Sequence, residues 1–143
     1  MFLGEFEHTL DEKGRFSVPA KFRPKLAAGM VVTTVVDPCL WVFTMDRWEA
    51  LTDKVSALPL TNPQAREFRR QLFGGAADLE PDRQGRISLP PTLRQYAHID
   101  KQVVVVGLFD HLEIWNPEMW HERQQRSYAD PEGRAEQFAS LGI

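Results

Sequence analysis

Two short stretches hold residue types that can do chemistry. Residues 11–15 read Asp-Glu-Lys-Gly-Arg and run on to Val18-Pro19, while residues 82–86 read Asp-Arg-Gln-Gly-Arg and run on to Leu89-Pro90. In both, an aspartate stands four positions before an arginine with a glycine just ahead of it. Aspartate accepts bonds from nearby backbone N–H groups, and glycine takes positive φ without a Cβ clash, so each stretch is expected to form a tight hairpin turn. Asp11, Gly14, Asp82 and Gly85 would form and orient the turns. Lys13, Arg15, Arg83 and Arg86 would face a polyanion, because guanidinium grips phosphate or binds guanine edges with two parallel donors. A single such turn reads more readily as a surface ion pair, which contributes little to stability.

The stretch is not single. Shifting the chain by 71 positions brings Asp11 onto Asp82, Gly14 onto Gly85, Arg15 onto Arg86, Ser17 onto Ser88 and Pro19 onto Pro90. Gly4 and Arg23 fall on Gly75 and Arg94 at the same offset, and after a one-residue slip Leu40 and Trp48 fall on Leu112 and Trp120. The chain is an internal duplication, and a weak surface ion pair gives no reason to find the same Asp, Gly and Arg in both diverged copies.

Each copy must supply elements that hold its turn. Loose alternation over residues 4–10 and a short run at 15–18 predict two strands flanking the first turn. Ser17 and Pro19 start a short helix with Phe22 and Leu26 on one stripe, kept short by Pro24. Residues 31–36 and 40–44 predict a second hairpin. A capping box of Asp46 and Glu49 predicts a helix carrying Trp48, Leu51, Val55 and Leu58. Asn62-Pro63 opens another, with Ala65, Phe68 and Leu72 inward, ended by Gly74-Gly75. The order then repeats: a strand up to Leu79, strands at 86–89, 103–108 and 112–115, a short helix at 91–97, and a helix opened by Asn116-Pro117. One more short helix is expected from Asp130 on. The reading divides the chain into a first unit at 5–48, linking helices at 49–74, a second unit at 75–120 and a helical tail at 121–143.

Isolated hairpins are marginal in water, so the two units are expected to pack on each other about a pseudo-twofold axis. Open strand edges and Trp41, Trp48, Trp115 and Trp120 remain as candidates for contacts between chains.

Composition narrows the function classes. With 43% hydrophobic and 26% charged residues in 143, the chain sits in the globular range. Its apolar runs are strand-sized, too short to span a membrane, and no basic segment precedes an apolar one at Met1, so no export signal is expected. The lone Cys39 excludes an internal disulfide framework and suits a reducing cytoplasm. His8, His98, His111 and His121 lack the spacing of helical metal sites and read as scattered surface histidines. No nucleophile elbow, phosphate-cradling glycine loop, or Ser or Cys beside a base is present, so neither an enzyme, a cofactor nor a small-molecule substrate is expected. Net charge is -3, yet residues 11–25 carry +3 and residues 78–97 are neutral. The first copy is therefore expected to supply most of the phosphate affinity.

With its duplicated Asp-x-x-Gly-Arg turns, each followed by Val-Pro or Leu-Pro, the chain closely resembles the MraZ family within the AbrB/SpoVT superfamily of swapped-hairpin DNA-binding domains. The likeness runs from Met1-Phe2-Leu3-Gly4 to beyond Trp120. It implies an α+β fold, mainly β with flanking helices, in which two tandem swapped-hairpin units form a pseudo-twofold barrel. It also implies a transcription factor, usually a repressor, that binds short double-stranded DNA repeats upstream of its own division and cell-wall operon. Such a protein would be cytoplasmic and nucleoid-associated. Family members are similar in forming homo-oligomeric rings, which would multiply a weak single contact through avidity. Asp11, Lys13 and Arg15 carry over to the first DNA site, and Asp82, Gly85 and Arg86 to the second, with Gln84 standing where a second base would strengthen the contact. The alternative reading is an oligomeric protein-interaction module with vestigial DNA binding.

Overall fold

In the computed structural model, which describes residues 1–142, the first strand of each repeat leaves its own repeat and pairs with the other. Strand β1 (Phe2–Thr9) lies antiparallel to β7 (Gln102–Phe109), and β5 (Ala77–Leu79) lies antiparallel to β3 (Met30–Thr33). With β4 (Leu40–Thr44) and β8 (His111–Trp115) they form a six-stranded sheet in the order β1-β7-β8-β4-β3-β5. The second strands, β2 (Arg15–Ser17) and β6 (Arg86–Ser88), pair with each other as a separate two-stranded ribbon. The hairpins expected between the first two strands of each unit therefore close as turns, but their strands pair across the duplication.

The pairing obeys the duplication residue by residue. His8 opposite Val103 is the counterpart of Leu79 opposite Met30, and Leu40 opposite Ile114 is the counterpart of Leu112 opposite Val42. These ladders put β1 and β5 at an offset of 71, β3 and β7 at 73, and β4 and β8 at 72. The slip in the sequence is thus two residues added before β7 and one removed from the turn after it.

Alternation along the strands assigns two faces. On one, Met30, Val32, Leu40, Val42, Val103, Val105, Leu112 and Ile114 meet Phe16, Val18, Ile87 and Leu89 from the ribbon region. Phe22 from a 3-10 turn (Ala20–Phe22), Leu26 from α1 (Arg23–Leu26), Leu93 from α4 (Pro91–Tyr96) and Ala97 close this core. Fully burying one such side chain stabilises by about 1.5–3 kcal/mol, which no single hairpin could collect often enough. The other face carries α2 (Met45–Ser56), α3 (Pro63–Gly74) and α5 (Pro117–Ala129), with α6 (Pro131–Ala139) following. There Thr33 donates Oγ1–H to the Leu72 carbonyl at 2.6 Å, and Trp115 packs with Cys39, Val104 and Val106 under Met119 and Trp120.

Several local expectations change. Residues 34–36 leave the sheet, and Val36 is 77% exposed, because the ladder to β4 ends at Thr33 opposite Trp41. Strand propensity lapses without a partner. The N-cap of α2 is Thr44, which accepts from the Arg47 N–H at 3.3 Å, so Asp46 lies inside the first turn. Asn62, Asn116 and Asp130 cap α3, α5 and α6, and the helix expected at the tail is present. Trp115, at 2% exposure, is buried within the chain and is not available for contacts between chains. Trp41 stacks on His111 at 4.4 Å, and Trp48 meets Phe73 edge-on at 5.8 Å. His111 is accordingly not a surface histidine: its ring packs against those of Trp41 and Phe43, with Nδ1 2.7 Å from Asp110 Oδ1. Burial pushes the Cys39 thiol far above its ordinary value, which keeps it protonated and inert.

Candidate nucleic-acid interface

The first turn is built around one carboxylate. Asp11 accepts the backbone N–H of Lys13 and of Arg15 on Oδ1, each at 2.9 Å, and the Arg15 Nε–H on Oδ2 at 2.7 Å. Its own N–H bonds to the Arg15 carbonyl at 2.8 Å, the Gly14 N–H bonds to the Asp11 carbonyl at 3.0 Å, and Gly14 has φ 72°. The second turn repeats the arrangement. Asp82 accepts from the Gln84 and Arg86 N–H groups at 2.9 Å and from Arg86 Nε at 2.9 Å, with Gly85 at φ 75°.

Backbone donors hold both carboxyls below the usual carboxylate range. The Arg15 N–H contributes most at Asp11 and the Arg86 N–H most at Asp82, with the guanidinium of the same arginine and the N–H of Lys13 or Gln84 adding to it. The aspartates stay ionised, and each fixes its arginine by Nε alone. Among the described residues nothing else bonds either guanidinium, so the two Nη groups of Arg15 and of Arg86 remain as parallel donors.

The ribbon sets the two arginines on one face. Phe16 lies opposite Ile87, and both are buried toward the core. By alternation, Arg15, Ser17, Arg86 and Ser88 point the other way. Arg15 pairs with Ser88 and Ser17 with Arg86, which makes the arginines diagonal neighbours on the pseudo-twofold, with backbones about 7–8 Å apart. Their side chains are 31% and 30% exposed. The turns themselves lie at opposite ends of the ribbon, joined to the neighbouring repeat by the Leu89 N–H to the Gly14 carbonyl and the Val18 N–H to the Gly85 carbonyl, both at 3.0 Å. Ser88 Oγ–H also reaches the Lys13 carbonyl at 3.2 Å. A two-stranded ribbon of this kind fits the major groove of B-DNA, and paired Nη donors match phosphate oxygens or the O6 and N7 of guanine.

Lys13 and Arg83 are exposed on the turns, Arg83 at the position that Glu12 holds in the first repeat. Residues 11–15 sum to zero charge and residues 82–86 to +1. The surplus of the first repeat does not sit on its turn. It comes from Lys21, with Nζ 5.0 Å from the centre of the Phe6 ring, from Lys25, 5.3 Å from that of Phe2, and from Arg23. Arg23 donates Nε–H to the Val18 carbonyl at 2.9 Å, and Arg94 donates likewise to Leu89 at 3.0 Å. The repeat alignment marked both arginines without suggesting a role, and Ser17 and Ser88 were legible in the same way, by two-residue alternation beside Arg15 and Arg86. Burial, and then the Arg23 charge, lower the pKa of His8, whose ring centre lies 5.8 Å from that of Phe16.

A family model described as "MraZ protein, putative antitoxin-like" matches the chain twice, over residues 1–71 and 72–139. The chain is similar, at 48% identity over 143 residues and all of both chains, to a transcriptional regulator MraZ of Herpetosiphon aurantiacus. It is 46% identical over 143 residues to the one of Natranaerobius thermophilus, again across the full length of both. With that of Carboxydothermus hydrogenoformans it shares 46% identity over 141 residues, 99% of each chain.

Proposed function

The chain belongs to the MraZ family, and from that premise we propose that it is a DNA-binding transcriptional regulator whose duplex contact is the outer face of the β2–β6 ribbon with its two flanking turns. The observation that carries this reading is the pair Arg15 and Arg86, set on one outward face, each tied to an aspartate through Nε with its Nη donors uncommitted. Lys13 and Arg83 add phosphate contacts from the turn tips. Asp11, Gly14, Asp82 and Gly85 shape those turns.

The same reading makes the protein a sequence-specific repressor that acts upstream of its own division and cell-wall gene cluster, in the cytoplasm and at the nucleoid. No helix among the described residues is long and apolar enough to cross a membrane. Self-association into a ring would repeat the ribbon around one face, so that an acidic chain binds DNA tightly through several modest contacts. Support for self-association comes from the unpaired edge of β1, with Leu3 50% and Phe109 65% exposed beside it.

Fluorescence anisotropy tests the reading. DNA from upstream of the gene and a scrambled control are titrated across a salt series with the parent protein, Arg15→Ala and Arg86→Ala. Specific binding is expected to weaken in each variant, and each lost phosphate contact should lower the salt slope by about 1. Light scattering should report an unchanged oligomer. Equal affinity for both DNAs that neither substitution alters would discard this assignment.

A further inference from the structure

We infer that Arg23 and Arg94 are positioning residues that act across the duplication, each bracing the turn of the other repeat. The inference rests on the reading of the two turns as the DNA contact. Arg94, in the second repeat, donates Nε–H to the Leu89 carbonyl at 3.0 Å, and Leu89 donates its N–H to the Gly14 carbonyl of the first repeat at 3.0 Å. Its guanidinium then covers Gly14, with Cζ 2.9 Å and Nε 3.0 Å from the point where a Cβ would stand. Arg23 mirrors this from the first repeat. It donates to Val18 at 2.9 Å, Val18 donates to the Gly85 carbonyl at 3.0 Å, and Arg23 Nε lies 2.7 Å from the Cβ position of Gly85.

The positive φ of Gly14 and Gly85 is what calls for glycine in each turn, and the bare backbone it leaves is where the arginine of the other repeat lies; a Cβ there would displace that guanidinium. The brace explains why Gly14 is buried although it belongs to an exposed turn. A flat guanidinium can lie on a glycine backbone while its Nε bonds a carbonyl, whereas the ammonium of lysine is a compact charge on a flexible stem. The first DNA-facing turn is therefore held by the second repeat, and the second by the first. Arg94 with Gly14 and Arg23 with Gly85 are the two halves of one crossed arrangement.

The test uses the full-length chain with Arg94→Lys and Arg23→Lys, which keep the charge and remove the planar brace. Backbone amide exchange is measured first, without DNA. Arg94→Lys should speed exchange at Lys13 and Arg15, whose N–H groups bond Asp11, and leave Gln84 and Arg86 unchanged. Arg23→Lys should do the reverse. Faster exchange in the variant's own repeat, equal changes in both turns, or parental exchange in both variants would overturn the inference. Binding to the upstream DNA is then measured in pairs. The losses from Arg94→Lys and Arg15→Ala should combine to less than their product by a factor of about three or more, while those from Arg94→Lys and Arg86→Ala should multiply. If Arg94 instead touches phosphate itself, Arg94→Lys keeps its affinity, and the inference fails. Crossed amide exchange together with DNA binding insensitive to Arg15→Ala would leave the brace standing and remove the DNA-contact reading instead.

Discussion

Arg15 donates its Nε–H to Asp11 Oδ2 at 2.7 Å, while Oδ1 of the same carboxylate holds two backbone N–H groups of the turn. One side chain thereby shapes the loop and aims the arginine. Asp11→Asn separates the two tasks. An amide oxygen still accepts the backbone donors, but its NH₂ faces Nε, donor against donor. Arg15 is freed and a negative charge is lost, so affinity for scrambled DNA should hold or rise while preference for the upstream sequence falls on the order of tenfold. Anisotropy on both DNAs at one salt concentration measures this, and unchanged preference would show that Asp11 does not set the aim of Arg15.

Strong acid should weaken the turns. Asp11 and Asp82 have lowered pKa values in the folded state, so the unfolded chain binds protons at higher pH than the folded one. Their contribution to stability is complete above the ordinary carboxylate value of about 3.9 and is lost as pH falls through the lower folded values. His8 acts at milder pH with the same sign. Its lowered pKa means that the unfolded chain takes up a proton first, so stability falls as pH drops below about 6.5. Urea midpoints followed against pH should show a shallow decline below neutrality that His8→Gln removes, and a steeper acid limb that Asp11→Asn with Asp82→Asn flattens.

Glycine substitutions should separate by what the new Cβ meets. At Gly107 it would stand 2.5 Å from the Leu3 nitrogen and 2.6 Å from the Phe2 carbonyl carbon, atoms of the β1 backbone that cannot turn aside. Gly107→Ala should therefore cost about 2–3 kcal/mol and expose the amides at the start of β1 to exchange. Gly74, at the end of α3, has nothing within 4 Å. Gly74→Ala should leave stability unchanged or raise it by about 0.5 kcal/mol. Equal effects in urea unfolding would contradict the close approach of β1 to β7.

Trp115 donates its indole N–H to Glu113 Oε1 at 2.8 Å, and both residues are buried between the sheet and α5. Glu113→Ala leaves that N–H without an acceptor and should destabilise by about 2–3 kcal/mol. Glu113→Gln retains an amide oxygen and should cost less than half as much. A matching loss in the two variants would mean that the carboxylate charge, and not the oxygen that glutamine retains, carries the effect.

Much of the local architecture was readable in the chain. Asp11 with Gly14, and Asp82 with Gly85, spell a turn because aspartate and glycine act on backbone atoms within a few residues. Asn62, Asn116 and Asp130 announced their helices for the same reason, whereas Pro24 stands in the first turn of the four-residue α1, where proline is tolerated, and does not set where that helix ends. The Asp46 expectation failed at close range: Thr44, still in extended backbone at the end of β4, reached the free N–H of Arg47 first. Val36 resembled a strand residue, and only the lack of a neighbouring strand excluded it.

The sequence by itself determined the duplication, the two turns and the residues that carry charge on them, because each of these is written in neighbours along the chain or in the comparison of one copy with the other. Tertiary structure decided the partners. Which strand lies beside β1, that Arg15 and Arg86 share a face, that Trp115 and His111 are enclosed, and that Arg94 covers Gly14 all depend on residues dozens of positions apart. Those choices follow from burying the apolar faces of both repeats in one core, and no segment contains that information alone. The exchange of β1 between repeats brings Phe2 into that common core, and the pairing of β2 with β6 adds Phe16 and Ile87. The ribbon is left with its arginines outward because its apolar residues have only one place to go.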